Sequence, residues 1–394
     1  MLCANMITAQ TDTGSLTNQD AIYDRPFIIN FEKARTAIGG YLEANTNYFV
    51  EDGVTEGFSM EMRRFNIFIF SPINRRINFI SELEFEHGTE EIALEMALID
   101  VRVSDGLNLR GGIILPQIGL VNANHDSPKW NFVERPLSST HIIPTTLSEV
   151  GFGIHGKFFS DSRILSYDAY VVNGLQESII LNEEGRTFLQ QGKSEEMFEE
   201  DNNGVPMMNV KFSLSNRKST EVGVSYYGGI YNTYRIEGAK VEDPRSMHLT
   251  AIDFTTESKK IQLKGEVTYL MIDVPSNLVE IYGEQQYGGF IEVSYTLFEE
   301  KEGSILSALT PYTTIPSINL DLRVERVDFN LGTFKSTQTA IRDEINSITG
   351  GLSIRPDAAN TVFRFNYTYQ FIIDNLGNPA VRNAGIQMGF ATYF

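Results

Sequence analysis

The chain has one cysteine, Cys3, in 394 residues, which excludes an internal disulfide and any cysteine-ligated zinc centre. It has no apolar run of about 18 residues, so no transmembrane helix is expected. Positive charge is scarce. Thirty-two Lys and Arg stand against 51 Asp and Glu, a net charge of −19, so no nucleic acid or anionic lipid held by bulk charge is expected as a partner. Tryptophan is nearly missing (one residue), yet there are 26 Phe and 17 Tyr. Helical periodicity is close to absent along the whole chain.

Two-residue alternation fills its place. In RRINFISELEFEH, Ile77, Phe79, Leu83 and Phe85 share one face and Asn78, Glu82, Glu84 and Glu86 the other. In EEIALEMALID, Ile92, Leu94, Met96 and Leu98 oppose Glu91, Ala93, Glu95 and Ala97. In TVFRFNYTYQF, Phe363, Phe365, Tyr367, Tyr369 and Phe371 oppose Arg364, Asn366, Thr368 and Gln370. Similar stretches begin near 38, 57, 75, 90, 107, 149, 162, 206, 220, 245, 258, 286, 317, 342, 360 and 381. They are longer than the usual strand of about 5–6 residues and match the roughly 9–11 residues that a tilted strand needs to cross hydrocarbon.

The connections alternate too. Short turns such as SPIN (71–74), SDG (104–106), SNRKS (215–219) and TESKK (256–260) interleave with longer loops, notably 119–148 and 174–205. HGT (87–89) is a short exception on the long side and 299–316 a long exception on the short side. Short turns at one end and long loops at the other, on about 16 antiparallel strands, are the layout of an all-β transmembrane barrel of the cell outer membrane. The expected organisation is a signal-peptide remnant over 1–9 (MLCANMITA), a periplasmic or lumenal lead-in over 10–37, and a barrel over 38–394. The leader implies export.

Charged residues on inward strand faces are candidates to line a pore: Arg64, Glu82, Glu84, Glu86, Glu91, Glu95, Arg110, Lys211, Lys264, Arg323 and Arg364. Loop 119–148 is rich in proline and apolar residues, which suits a loop folded into the barrel; His125, Asp126, Lys129, Trp130, Glu134 and Arg135 are its constriction candidates. Loop 174–205 is acidic, with Glu195, Glu196, Glu199, Glu200 and Asp201 in one run. The carboxylates around Glu82–Glu95 read first as a wall paired with arginines, then as a cation-attracting rim, and last as a calcium site, for which no spaced loop motif is present. His125-Asp126-Ser127 is adjacent in sequence, but a triad needs three side chains converging in space. No catalytic residue, metal ligand or cofactor is expected. The chain ends GIQMGFATYF, alternating to its last residue. Phe390, Tyr393 and Phe394 resemble the terminal signal read by the barrel-assembly machinery.

The stretches IGGYLEANTNYF, MEMRRFNIFIF, ELEFEHGTEEIALEMALID, NHDSPKWNFVERP and GRTFLQQGK resemble outer-membrane porins of Bacteroidota in the phosphate-selective porin O/P-like family. The resemblance is strongest over 38–230. It implies a 16-stranded barrel, often trimeric, surrounded by outer-membrane lipid and passing small hydrophilic solutes or ions. The arginine ladder of the phosphate-selective members has no counterpart here, so no phosphate-site residue is carried over. Passive diffusion is the leading expectation; a non-conducting barrel subunit or scaffold of an outer-membrane assembly is the alternative, and a soluble β-sandwich a poorer third.

Overall fold

In a computed structural model, residues 17–29, 36–193, 198–299, 317–356 and 360–394 are described. Cys3, the leader, 10–16 and 30–35 of the lead-in, Glu195, Glu196 and most of 299–316 lie outside them. Sixteen antiparallel strands form a closed barrel in which each strand pairs with its sequence neighbours and the first, Ala37–Glu51, pairs with the last, Val381–Tyr393. Every strand begins within three residues of the position expected from alternation. One further pairing was not foreseen: a two-residue ribbon, Arg235–Ile236 with Ala239–Lys240, inside a long loop.

The outer wall is apolar because lipid is its solvent. Along Thr361–Ile373 the odd residues Phe363, Phe365, Tyr367 and Tyr369 are exposed, and the even residues Arg364, Asn366 and Thr368 are buried inside the barrel. The same alternation holds in Ile261–Ile272, where odd residues such as Val267 face outward, and in Ser317–Asp328, where even residues such as Val324 do; Ile291 of the strand between them also faces outward. A β-barrel satisfies every backbone N–H and C=O across the wall, which hydrocarbon demands. The apolar belt around a closed barrel of this kind places the chain in the cell outer membrane.

Among the described residues, four register shifts interrupt the wall, and two of them correct the simple alternation beside the lumen loop. In the second strand, Phe58–Pro72, Glu43 pairs with Arg64 but Ala44 pairs with Met62, which leaves Arg63 as the extra residue. The outward parity therefore flips from Met60 and Met62 to Phe65, Ile67 and Ile69, and Arg63 and Arg64 both reach the interior. In the fourth strand, Glu91–Ser104, Glu82 pairs with Met96 and Leu83 with Leu94, so Glu95 is the extra residue. The expected common face of Ile92, Leu94, Met96 and Leu98 is thus split. Ile92 and Leu94 face lipid, while Met96 and Leu98 are buried inside. A bulge re-aims the side chains that follow it.

The seam between first and last strands is tight. Gly40 and Phe394 exchange backbone hydrogen bonds, and the Phe394 ring stacks on Phe65 with centroids 5.6 Å apart. A Cβ on Gly40 would lie 2.0 Å from the Asn66 carbonyl oxygen and 2.6 Å from Phe394 Cζ. Gly40→Val is therefore expected to lower the fraction of chain that runs as the compact, heat-modifiable band on unboiled gels, whereas Gly350→Ala, where a Cβ meets nothing within 4 Å, leaves that fraction unchanged.

Candidate functional site

The chemistry-bearing side chains converge in the lumen, on the connection between Leu107–Ile114 and Glu149–Phe159. This loop (115–148) does not rise above the barrel. Its short turns at Asn122–Asn124, Ser127–Lys129 and Ser138–Ile142 are interspersed with Pro128, Pro136 and Pro144, which keep it from extending as a helix. Its backbone would leave unpaired polar groups in a buried position, and wall residues from around the barrel satisfy them. Asn209 bonds Gln117 through both its amide atoms, at 2.9 and 3.1 Å. Lys211 Nζ donates to the Gly119 carbonyl at 2.6 Å. Glu266 accepts from the Leu120 N–H at 2.7 Å and from the Ser138 and Ser139 hydroxyls at 3.0 and 3.2 Å. On the opposite side Arg364 donates to the Phe132 carbonyl at 2.8 Å, Arg323 to the Glu134 carbonyl at 2.9 Å, and Asn366 accepts from the Val133 N–H at 2.8 Å. Apolar side chains of the loop, Ile118, Ile142, Ile143 and Leu147, pack with inward Met96, Leu98, Met247 and Leu270 into one buried cluster.

The lead-in enters from the short-turn end. Gln19 donates to the Tyr167 carbonyl and to Asp168, both at 2.8 Å, and the Tyr23 hydroxyl donates to Asp100 at 2.7 Å. Phe27 stacks on Phe68 at 5.7 Å. Arg25 is fully buried. It bridges wall and loop through Glu82 at 2.7 Å and Asp126 at 2.9 Å, with its guanidinium 3.7 Å from the Phe68 ring centroid. Lys129 of the loop returns to the Ala21 carbonyl at 2.9 Å.

Beside Arg25 stands His125. Its Nδ1 faces the Asn122 carbonyl at 3.0 Å, and its Nε2 faces Glu95 at 3.0 Å and Glu82 at 3.3 Å. Burial works against a charged ring, but Glu95 and Glu82 outweigh it and push the imidazole up to about 10. Burial likewise opposes the Asp126 carboxylate, and Arg25 and Lys129 overcome it and hold the group well below the usual carboxylate range. Glu134, partly exposed in the loop, is pulled down to about 2 by Arg63, which overcomes its partial desolvation and grips it bidentately at 2.7 and 2.6 Å.

Two cavities flank this partition. One of about 690 Å³ opens towards the long loops and is lined by Arg64, Glu84, Glu86, Glu91, Glu95 and Arg135 among others. One of about 350 Å³ lies at the short-turn end beside Asn18, Asp24, Glu221 and Lys264. They share no lining residue.

Of the inward charges named from sequence, Lys211, Arg323 and Arg364 contact the inserted loop rather than open solvent, and Lys264 lies over the Trp130 ring at 4.6 Å. Arg110 is tied to Asp100 at 2.7 Å and to the Tyr170 hydroxyl at 3.1 Å. Glu82 is sealed beneath the loop, while Arg64, Glu84, Glu86, Glu91 and Glu95 border the larger cavity. Phe390 and Phe394 lie on the outer face, but Tyr393 points inward and donates to Asp126 at 2.7 Å. Sequence reasoning missed Arg25, Glu43, Arg63 and Glu266. The parity flip after Met62 was the available signal for Arg63, and Glu43 and Glu266 could be placed on inward faces by alternation. Arg25 sits in an aperiodic segment that carries no such signal.

Removing one partner of a buried ion pair strands the other charge. Arg25→Met is expected to destabilise the folded barrel by about 3–5 kcal/mol and to expose 115–148 to protease. Arg102→Ala breaks only the exposed contact with Asp105 and is expected to cost under about 1 kcal/mol. Thermal unfolding in detergent with limited proteolysis distinguishes the two.

No protein-family model matches the chain. A curated relative, an uncharacterised protein of Aquifex aeolicus, is 36% identical over 151 residues, which span 36% of this chain and 33% of that protein. Solved structures share the fold at low identity. The outer-membrane channel DcaP of Acinetobacter baumannii superposes with a TM-score of 0.58 at 10% identity, covering 92% of this chain and 99% of that one. OmpF of Salmonella typhi, solved with daunomycin, gives 0.55 at 9%, covering 91% and 98%. An anion-selective porin of Comamonas acidovorans gives 0.52 at 9%, covering 91% and 100%. The fold of this chain is that of the outer-membrane porins.

Proposed function

We propose that the protein is an outer-membrane porin through which small hydrophilic solutes or ions diffuse passively. The observation that carries this reading is a closed barrel with charged cavities of about 690 and 350 Å³ at the two ends of its lumen and one inserted loop between them. An inward loop that narrows the lumen is how a wide barrel becomes size-selective, and rings of charge set ion preference. Kinship with the phosphate-selective-porin-like proteins of Bacteroidota belongs to the same reading, supported by the stretches quoted above. Phosphate selectivity does not, because Arg323 and Arg364 are spent on loop carbonyls and on Glu43. The reading includes outer-membrane lipid around the apolar belt, a homotrimer, and recognition of the terminal strand by the barrel-assembly machinery through outward Phe390 and Phe394.

A specific observation favours a second reading, a non-conducting scaffold barrel. The loop and the lead-in are hydrogen-bonded to opposite walls, so the two cavities are separated by packed protein. Single-channel recording of purified protein under a salt gradient separates them. Discrete conductance steps support the porin; a folded barrel without steps supports the scaffold. For the porin, Glu86→Gln with Glu91→Gln is expected to move the reversal potential towards anion preference, because both carboxylates border the larger cavity. Deleting Phe394 is expected to reduce the amount of barrel inserted into the outer membrane several-fold while leaving the conductance of the inserted fraction unchanged, measured by membrane fractionation and by recording.

A further inference from the structure

At the floor of the larger cavity the wall and the loop bring three metal-ligating groups together. Glu82, Glu95 and His125 each offer one ligand atom, these atoms all lie within 4.8 Å of one another, and all three side chains are buried. The two Nε2 separations, 3.0 and 3.3 Å, need open by only a few tenths of an ångström to reach the roughly 3.3–3.6 Å that separates ligands on a tetrahedral zinc with bonds of about 2.0–2.2 Å. Glu95 occupies the bulge, and it is the bulge that turns its carboxylate towards the loop.

Two of the three, His125 and Glu82, are also held from behind, as metal ligands are. The Nδ1 of His125 donates to the Asn122 carbonyl, and an ion set between Nε2 and the carboxylates takes the place of the proton that Nε2 otherwise shares with them and releases it to water. Asn122 is itself fixed, since its side chain donates to the Pro116 carbonyl at 2.8 Å and accepts from the Leu147 N–H at 2.8 Å. Glu82 receives Asn66 on Oε1 at 2.8 Å and Arg25 on Oε2 at 2.7 Å.

A separate observation points to a cation. Glu84 Oε1 is buried and accepts no hydrogen bond, although Arg64 Nε lies 3.2 Å away. Glu84 and Glu95 both border the larger cavity, which supplies a path from outside. Asp126 is 3.8 Å from Nε2 on the far side, and Arg25, Lys129 and Arg64 balance the surrounding carboxylates.

We propose that Glu82, Glu95 and His125 form a binding site for a divalent transition ion of the zinc type, reached from the larger cavity past Glu84. One imidazole with carboxylates suits zinc or its first-row neighbours, whereas calcium takes oxygen ligands only. A bound ion ties loop 115–148 to the strands Ile77–Glu86 and Glu91–Ser104. The site is independent of whether the barrel conducts.

The test uses the untagged full-length protein, purified in detergent and stripped with chelator. Zinc alone is titrated by calorimetry, and cobalt is added separately to read the visible bands of a four-coordinate ion. One zinc per chain is expected. His125→Gln and Glu95→Gln are each expected to weaken binding at least tenfold, Glu91→Gln at the cavity rim to leave it unchanged, and calcium at equal concentration not to compete. Should His125→Gln fail to give the heat-modifiable folded band, Glu95→Gln carries the same reading. Absence of zinc binding by the parent protein, less than tenfold weakening in a folded ligand variant, or displacement by calcium overturns the proposal.

Discussion

Closure of the wall is the constraint on which everything else rests. Hydrocarbon offers no hydrogen bonds, so a sheet can cross it only when its first and last strands pair. Ala37–Glu51 does so with Val381–Tyr393 over eleven residue pairs. Closure then creates a second problem. Every strand has an inward face, and sixteen strands enclose far more inward surface than their own side chains fill. The chain supplies filling from its own length, the lead-in from one end and loop 115–148 from the side.

That filling explains the odd composition of the interior. Inward charges in a wide pore would be solvated and weakly constrained. Here Lys211, Glu266, Arg323 and Arg364 are buried against loop backbone, where a lost partner leaves an unsatisfied group in a medium of low effective dielectric. Arg25 is the extreme case, a fully buried cation that joins lead-in, wall and loop. The partition is therefore held by polar bonds at its edges and by an apolar cluster of loop and wall residues. Solutes would meet charge in the two cavities before they meet the partition.

The bulges connect this interior to function. An unbroken alternation would send either Arg63 or Arg64 to lipid and would part Glu95 from His125. One extra residue in each of two strands places Arg63 on Glu134 and Glu95 on His125, so two of the four register shifts of the wall lie where it grips charged residues of the loop. Bulges beside functional sites are common for this reason.

The wall was legible in the sequence because lipid and water impose opposite demands on alternate residues. Phe363 and Arg364 could not exchange faces without exposing a charge to hydrocarbon, so periodicity alone determined strand number, strand starts, pairing order and the end-to-end seam. Inwardness was legible for Glu82, Lys211, Arg323 and Arg364 on the same grounds, and the parity flip after Met62 carried one bulge, whereas the bulge at Glu95 lay hidden in the unbroken alternation from Ile92 to Leu98. What each inward side chain meets was not legible. Loop 115–148 and Thr17–Ile29 have no periodicity to place them, and their partners lie up to about two hundred residues or more away in sequence, as Val133 does from Asn366. Only the closed barrel brings those distant groups within hydrogen-bonding distance, because partnership in the lumen is set by the curvature of the wall and by the shape of what fills it.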